Sequence, residues 1–128
     1  MARVPDDLDS LARSVVDAAF KVHSQLGPGL LESVYEHCLA HELTKRGIKV
    51  ARQVPIPIIY DGEQLEAGLK LDLLAGNAIV IEVKAVEKDN PVYRAQLLTY
   101  LKLTGKRLGF LINFNVPLIK DGIRRMAL

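Results

Sequence analysis

Apolar and polar residues alternate most regularly between residues 69 and 85. Every second position is apolar on both sides of a short segment at residues 75–78: Leu69, Leu71 and Leu73 before it, and Ile79, Ile81 and Val83 after it. This pattern predicts a β-hairpin whose loop has an odd number of residues, with Gly76 or Asn77 at positive φ. We expect both apolar sets to lie on one face, because a one-residue slip would expose one set to water.

This hairpin brings carboxylates together. In the register that keeps the apolar sets on one face, Leu71 lies opposite Val83 and Asp72 lies opposite Glu82. Two facing carboxylates repel each other, and a divalent cation with oxygen ligands would offset that repulsion. Lys84 lies on the same face, within reach of whatever the carboxylates hold. On spacing alone, the polar side of a half-solvated hairpin is the simpler interpretation, because short motifs often occur by chance.

Helical periodicity predicts two helices before the hairpin. The first begins at a cap formed by Asp9 or Ser10 and ends at Gly27-Pro28; the second opens at Gly29 and runs to about Arg46. Gly47 would cap the second helix. Their apolar stripes are Leu11, Val15, Ala18, Ala19, Val22 and Leu26 in the first, and Leu31, Val34, Cys38, Leu39 and Leu43 in the second.

Three polar residues of these helices are candidates for function. His23 lies near the last turn of the first helix, where a positive charge is favoured; we prefer this interpretation over a histidine that faces an active site. Glu32 and Tyr35 are three residues apart, so they share a face close to the apolar stripe. Glu32 also suits the positive end of the helix dipole, and from the pattern alone this simpler role is favoured.

The rest of the chain predicts further strands around a third helix. Residues 48–60 look extended, and their two prolines indicate an edge strand that ends at the Asp61-Gly62 turn. Asn90-Pro91 starts a helix that Gly105 ends. Its buried side is expected at Val92, Ala95, Leu98 or Thr99, Leu101 and Leu103. Gln96 is most simply a solvated residue of this helix. The apolar run at residues 108–114 predicts a strand covered on both faces, parallel to the second hairpin strand after a right-handed crossover. The tail, residues 117–128, is basic.

Composition narrows the class of protein. The chain has 128 residues, 49% hydrophobic and 25% charged, which suits one globular domain over residues 1–128. Its net charge of +2 is compatible with a phosphate-backbone partner without indicating one. The single cysteine excludes a disulfide framework and a cysteine-based zinc site. The polar, acidic N-terminus is no signal peptide and no apolar run would span a membrane, so a soluble cytoplasmic protein is expected.

Several separated blocks, taken together, resemble the GxxExxY protein family. Gly29-x-x-Glu32-x-x-Tyr35 matches its signature, and LGPGLLESVYE, KLDLL, IEVKAVE, AQLLTYLKLTG and LINFNVPLIKDGI follow in the same order over nearly the whole chain. That family is similar to the PD-(D/E)XK nuclease superfamily. The resemblance implies an α/β fold with an α+β-like mixed sheet: a restriction-endonuclease-like core of antiparallel hairpins and a parallel strand, flanked by N-terminal helices.

The resemblance also implies the site. Asp72 matches the superfamily aspartate, Glu82 and Lys84 match the E-x-K pair, Glu32 matches the extra helix glutamate, and Gln96 matches the glutamine of the following helix. Asp72, Glu82 and the Val83 carbonyl would hold Mg²⁺ or Mn²⁺. Where the family pattern has His, before the AQLL block, this chain has Tyr93. Tyr93 joins His23 and Tyr35 as an accessory candidate.

A metal-dependent nuclease is the function that these residues imply, with DNA expected over RNA. The candidates for contacts to the nucleic-acid backbone are Arg94, Lys102, Lys106 and Arg124. One small domain offers little surface to grip a duplex and one site cuts one strand, so a homodimer is expected. The alternatives are a catalytically silent nuclease fold that binds nucleic acid or assembles, and an unrelated structural domain. The intact set of Asp72, Glu82 and Lys84 argues against the silent fold.

Overall fold

The computed structural model describes residues 6–128 of the chain. Within them, the helices are α1 (Asp6–Leu26), α2 (Glu32–Lys45) and α3 (Pro91–Thr104), with a short 3₁₀ helix at Ile119–Asp121. The strands are β1 (Val50–Tyr60), β2 (Glu63–Ala75), β3 (Ile79–Lys84), β4 (Leu108–Asn113) and β5 (Ile123–Ala127). In this part of the chain they form one five-stranded sheet in the order β1-β2-β3-β4-β5. Strands β3 and β4 are parallel and the other neighbours are antiparallel, which confirms the predicted mixed α/β fold.

Apolar side chains pack on both faces of the sheet. Helices α1 and α2 cover one face, in a core that includes Tyr35, Leu39, Leu43, Leu73, Ile79, Ile81 and Phe110. Helix α3 covers the other face, in a core formed by Ile56, Leu71, Val80, Leu97, Leu101 and Leu111. We call these the helix-pair core and the α3 core. Strands β3 and β4 contribute to both, which explains their continuous apolar sequences.

Local signals in the sequence correctly place the turns and the start of α3. Positive φ occurs at Asp61 and Gly62 in the first hairpin turn and at Gly76 and Asn77 in the second. The second loop contains the three residues between β2 and β3, as the predicted register requires. The Asn90 side chain accepts a hydrogen bond from the Val92 N–H at 3.0 Å and so caps α3.

The predicted start of α1 and the predicted stripe of α2 are wrong. Helix α1 already includes Asp9, which pairs with Arg13 one turn later instead of capping the helix. In α2 the buried residues include Tyr35, Leu39 and Leu43, whereas Leu31 is 73% exposed. The stripe is rotated because Tyr35 is fully buried and its ring stacks on Phe114 with 4.7 Å between centroids. Val34 is exposed and Cys38 half-buried as a result.

The predicted buried side of α3 also needs correction. Leu97 and Leu101 are fully buried, while Val92 and Leu103 are 46% and 41% exposed. A Cβ at Gly109 would come within 2.8 Å of Leu97 Cδ1, which shows that α3 packs closely on β4 at this glycine. Tyr93 and Tyr100 flank this contact and pack on the α3 core. The buried side of α3 therefore carries Leu97 and Leu101 with these two tyrosines, and it differs from the side that the aliphatic residues alone predicted.

The basic tail forms an edge strand that the sequence analysis did not predict. Strand β5 pairs with β4 through Leu108↔Ala127 to Ile112↔Ile123. Its consecutive arginines, Arg124 and Arg125, obscured the alternation that marks a strand. Across residues 6–128, no helix combines the length and apolar character needed to cross a membrane. The expectation that the N-terminus is not a signal peptide rests partly on residues 1–5, which lie outside the described residues.

Candidate active site

The carboxylates of Asp72 and Glu82 lie where β2 and β3 separate. The backbone ladder between these strands runs from Ala75↔Ile79 to Leu73↔Ile81, the predicted register. At the next position, Asp72 and Glu82, carboxylate oxygens accept the hydrogen bonds that backbone carbonyls accept elsewhere in the ladder. The Asp72 N–H donates to Glu82 Oε2 at 3.0 Å, and the Val83 N–H donates to Asp72 Oδ2 at 2.8 Å. The two carboxylates are therefore inserted between the strands, and the backbone fixes one oxygen of each.

A distortion of β1 and β2 accompanies this arrangement. The β1–β2 ladder includes Arg52↔Leu73 and Val54↔Leu71 but omits the pair between them, Gln53 and Asp72. Leu73 packs in the helix-pair core, whereas Leu71 packs in the α3 core. The prediction that these leucines share one face is therefore wrong. The alternation with a period of two fails because the side chains of β2 change from one face of the sheet to the other at Asp72, opposite Gln53.

Burial gives Glu82 unusual acid–base properties. The residue is 6% exposed. Loss of hydration raises the pKa of Glu82 from its ordinary 4.5 to about 8, and the negative charge of Asp72 acts in the same direction. The hydrogen bond from the Asp72 N–H and the charge of Lys84 lower the pKa of Glu82 only in part. In the absence of a further cation, Glu82 therefore retains a proton at neutral pH.

Glu32 approaches the same site from the first turn of α2. Although the residue as a whole faces solvent, loss of hydration raises the pKa of its carboxyl. The charge of Lys84 and a hydrogen bond from the Ala85 N–H lower the pKa of Glu32, and Asp72 raises it. Because the charges of Asp72 and Lys84 both act on the Glu32 carboxyl, it lies near the Asp72–Glu82 pair. Its assignment to the site stays a prediction. Its role as a dipole partner at the helix N-terminus remains compatible with this position.

Lys84 lies over an aromatic ring at the edge of a cavity. Its Nζ is 4.8 Å from the centroid of Tyr93, within the range of a cation–π contact. The cavity has a volume of about 150 Å³, and both Lys84 and Tyr93 line it. Arg124 of β5 lines the same cavity. Tyr93, at the position where the resemblance to the GxxExxY family implies a histidine, is therefore in contact with Lys84.

Tyr100 is a site neighbour that the sequence analysis missed. Partial burial raises the pKa of its hydroxyl, and the charges of Glu82 and Asp72 raise it further. Tyr100 follows Gln96 by one helical turn, so the spacing within AQLLTY was a usable signal. Gln96 itself is exposed. It lies on the side of α3 that carries Tyr93 and Tyr100.

The comparison with protein-family models matches residues 9–126 to the PD-(D/E)XK nuclease superfamily. The chain belongs to this superfamily. The match supports the predicted fold and a nuclease-type function. Comparisons with curated proteins and with solved structures gave no match. The narrower assignment to the GxxExxY family stays a prediction.

The donor set of this superfamily member suits a hard divalent cation. Within residues 6–128, no group of three or more His, Cys, Asp and Glu side chains is arranged to hold a metal ion. Mg²⁺ usually needs only one or two carboxylates, with waters and substrate oxygens at its other positions. Asp72 and Glu82 supply two. The Val83 N–H points toward β2, and in an extended strand the carbonyl of a residue points the same way as its N–H. The Val83 carbonyl could therefore join them.

Two accessory candidates have structural roles in this fold. His23 is 7% exposed, and its Nε2 is 2.8 Å from the Val116 carbonyl oxygen. This bond ties α1 to the segment after β4. His23 lies in the last turn of α1, where the preferred interpretation places it. The Tyr35 hydroxyl donates to the Gly27 carbonyl at 2.6 Å and accepts from the Leu30 N–H at 3.1 Å. Tyr35 thereby holds the turn that precedes Glu32.

The basic candidates occupy different surroundings. Arg94 forms an ion pair with Asp89 at 2.6 Å, so its guanidinium is already engaged. Lys102 is exposed on the last turn of α3, and Lys106 follows the helix. Arg124 is the member of this group that shares a cavity with Lys84. Asp89, the partner of Arg94, also lines this cavity.

A buried carboxylate on α2 was also missed. Glu36 is 7% exposed and accepts from Arg52 Nη2 at 3.1 Å and from Gln53 Nε2 at 2.8 Å. Both donors lie 16 or 17 residues away in the chain, and no short motif connects them. The GLLESVYE block directs attention to Glu32, one helical turn earlier. Long-range pairing of this kind leaves no local sequence signal.

Proposed function

We propose that the chain acts as a single nuclease domain that hydrolyses phosphodiester bonds in nucleic acid, with DNA preferred over RNA. The observation that carries this proposal is the insertion of the Asp72 and Glu82 carboxylates between β2 and β3, with Lys84 on the same strand as Glu82. Membership of the PD-(D/E)XK nuclease superfamily supports it.

Asp72, Glu82 and the Val83 carbonyl would hold Mg²⁺ or Mn²⁺. When bound, the ion would lower the pKa of a water ligand and polarise the scissile phosphate. Before binding, the Glu82 carboxyl must lose its proton, because its pKa of about 8 keeps it neutral at physiological pH. This requirement makes binding pH-dependent. The backbone N–H groups of Asp72 and Val83 hold both carboxylates in place throughout.

Lys84 orients or deprotonates the attacking water, or stabilises the charge that develops on the phosphate. The Tyr93 ring limits its movement. Glu32, with its raised carboxyl pKa, can accept a hydrogen bond or a proton from water at the edge of the site. Gln96 is assigned to orientation of water or of a phosphate oxygen from α3. Residue type and position support these roles.

Substrate binding would use basic residues without reading sequence. Arg124 can contact a phosphate at the cavity beside Lys84, and Lys102 and Lys106 extend the basic surface along α3. Arg94 would contribute only if it left Asp89. The homodimer expected from the sequence stays a prediction.

A cleavage assay tests the function. Single- and double-stranded DNA and RNA are incubated with the purified protein in Mg²⁺, in Mn²⁺ and in chelator, with Glu82→Ala prepared in parallel. We expect cleavage of at least one DNA substrate by the wild type in metal and none by the variant. Equal trace activity in both proteins would indicate contamination and contradict the proposal. Binding of nucleic acid without cleavage would favour the catalytically silent nuclease fold.

A further inference from the structure

Gln53 adopts a backbone conformation that is unusual for a strand residue. Its φ is +49°, in the left-handed region that favours glycine. In a regular strand, consecutive side chains point to opposite faces. Here Arg52 and Gln53 both reach the carboxylate of Glu36 on α2, with Arg52 on Oε2 and Gln53 on Oε1. The left-handed turn of the backbone makes this double contact possible.

The same amide of Gln53 also reaches the active site. Its Nε2 is 2.8 Å from Glu36 Oε1 and 3.4 Å from Asp72 Oδ1. A side-chain amide has two N–H donors, so one group can serve both carboxylates. Both partners are acceptors, which fixes the nitrogen as the atom that faces them. The other Asp72 oxygen accepts from the Val83 N–H. The Asp72 carboxylate is thus held at both oxygens.

We propose that Gln53 is a positioning residue for Asp72 and couples it to the buried Glu36 carboxylate, which also binds Arg52. This inference rests on the proposed function of the Asp72–Glu82 site. A neutral donor suits the position. An ammonium or guanidinium group would compete with a divalent cation for Asp72, and a carboxylate at position 53 would repel the Asp72 carboxylate. Glu36 provides a rigid anchor, since it is 7% exposed and bonded to Arg52. The amide gives a reason for a non-glycine residue at a left-handed position.

Two substitutions distinguish the effect of the Gln53 amide from the effect of its backbone conformation. Gln53→Gly removes the amide and accepts the positive φ without strain, whereas Gln53→Glu keeps the length and removes both donors. Gln64→Glu, at an exposed glutamine of β2, is the matched control. Hydrogen exchange of the Val83 amide is measured in metal-free protein, because that N–H donates to Asp72.

We expect exchange at Val83 to accelerate by about fivefold in both Gln53 variants, the effect of one weakened hydrogen bond, and to be unchanged in the control. Unchanged exchange in Gln53→Gly would overturn the inference, since the position would then matter for its backbone alone. An effect confined to Gln53→Glu would also overturn it, because added repulsion would explain the result.

A Mn²⁺ titration gives a second readout. In Gln53→Gly we expect the dissociation constant for Mn²⁺ to rise about tenfold while kcat at saturating Mn²⁺ changes by less than about threefold. Wild type that binds Mn²⁺ with the same affinity as Gln53→Gly would refute the positioning role and leave the proposed function intact. Wild type that binds no Mn²⁺ would refute the proposed function, and the exchange measurement would still decide whether Gln53 holds Asp72.

Discussion

Replacing Lys84 with alanine should lower kcat/KM for nucleic-acid cleavage by about 10²–10⁴-fold, the usual contribution of a general acid–base group or of a charge placed at the reacting centre. The charge of Lys84 lowers the pKa of the carboxyls of both Glu82 and Glu32, so Lys84 lies close to the acidic site. Its Nζ lies 4.8 Å from the centroid of the Tyr93 ring. Initial rates at saturating Mn²⁺ measure the effect.

The matched control is Lys49→Ala, which removes an exposed lysine from the loop between α2 and β1. It should leave the rate within about twofold, because surface substitutions of this kind have small effects. Lys84→Arg should recover only a small part of the rate, since a planar guanidinium does not reproduce the compact, strongly hydrated point charge of an ammonium group. A Lys84→Ala enzyme as active as the Lys49→Ala enzyme would exclude Lys84 from the chemistry.

Neutralising Glu82 should make the metal-free protein more stable, and increasingly so as the pH rises. The folded pKa of Glu82 is about 8 and its ordinary value is 4.5. Between these values the folded state binds a proton that the unfolded state has released, so the free energy of unfolding falls as pH increases. This loss is absent below pH 4.5 and complete above pH 8. Glu82→Gln cannot titrate and should not show it.

Urea unfolding in chelator from pH 5 to pH 8 measures this difference. The stability of Glu82→Gln relative to the wild type should increase by roughly 3 kcal/mol over that range. Asp72→Asn removes the neighbouring charge that raises the pKa of Glu82, so this control should show a smaller dependence on pH than the wild type. Parallel curves for wild type and Glu82→Gln would mean that Glu82 is ionised in the folded protein at pH 5, which would contradict the raised pKa of its buried carboxyl.

The sequence predicts those parts of the site that depend on local signals. The alternation around Gly76 and Asn77 determines the hairpin, and its register places Asp72 next to Glu82. The Asn90 cap and the apolar run of β4 determine the crossover that covers the second face of the sheet. Each of these features requires only neighbouring residues, because propensity and periodicity act over a few positions.

The features that the sequence does not predict depend on contacts between distant residues. The exchange of faces at Gln53 requires a left-handed glutamine, which residue type disfavours. The bonds from Arg52 and Gln53 to Glu36 connect β1 with α2. The rotation of the α2 stripe follows from the stacking of Tyr35 on Phe114, which lies at the end of β4. Tertiary contacts of this kind override local periodicity.

The central claim is that the Asp72–Glu82 pair binds a divalent cation. Isothermal titration of Mn²⁺ into the metal-free wild type, Asp72→Asn and Glu82→Gln at pH 8 tests it most directly, without a substrate. We predict saturable binding to the wild type and a dissociation constant at least about 100-fold higher in each variant, the loss expected when a carboxylate ligand is removed. Identical titrations in all three proteins, or no binding by the wild type, would contradict the account.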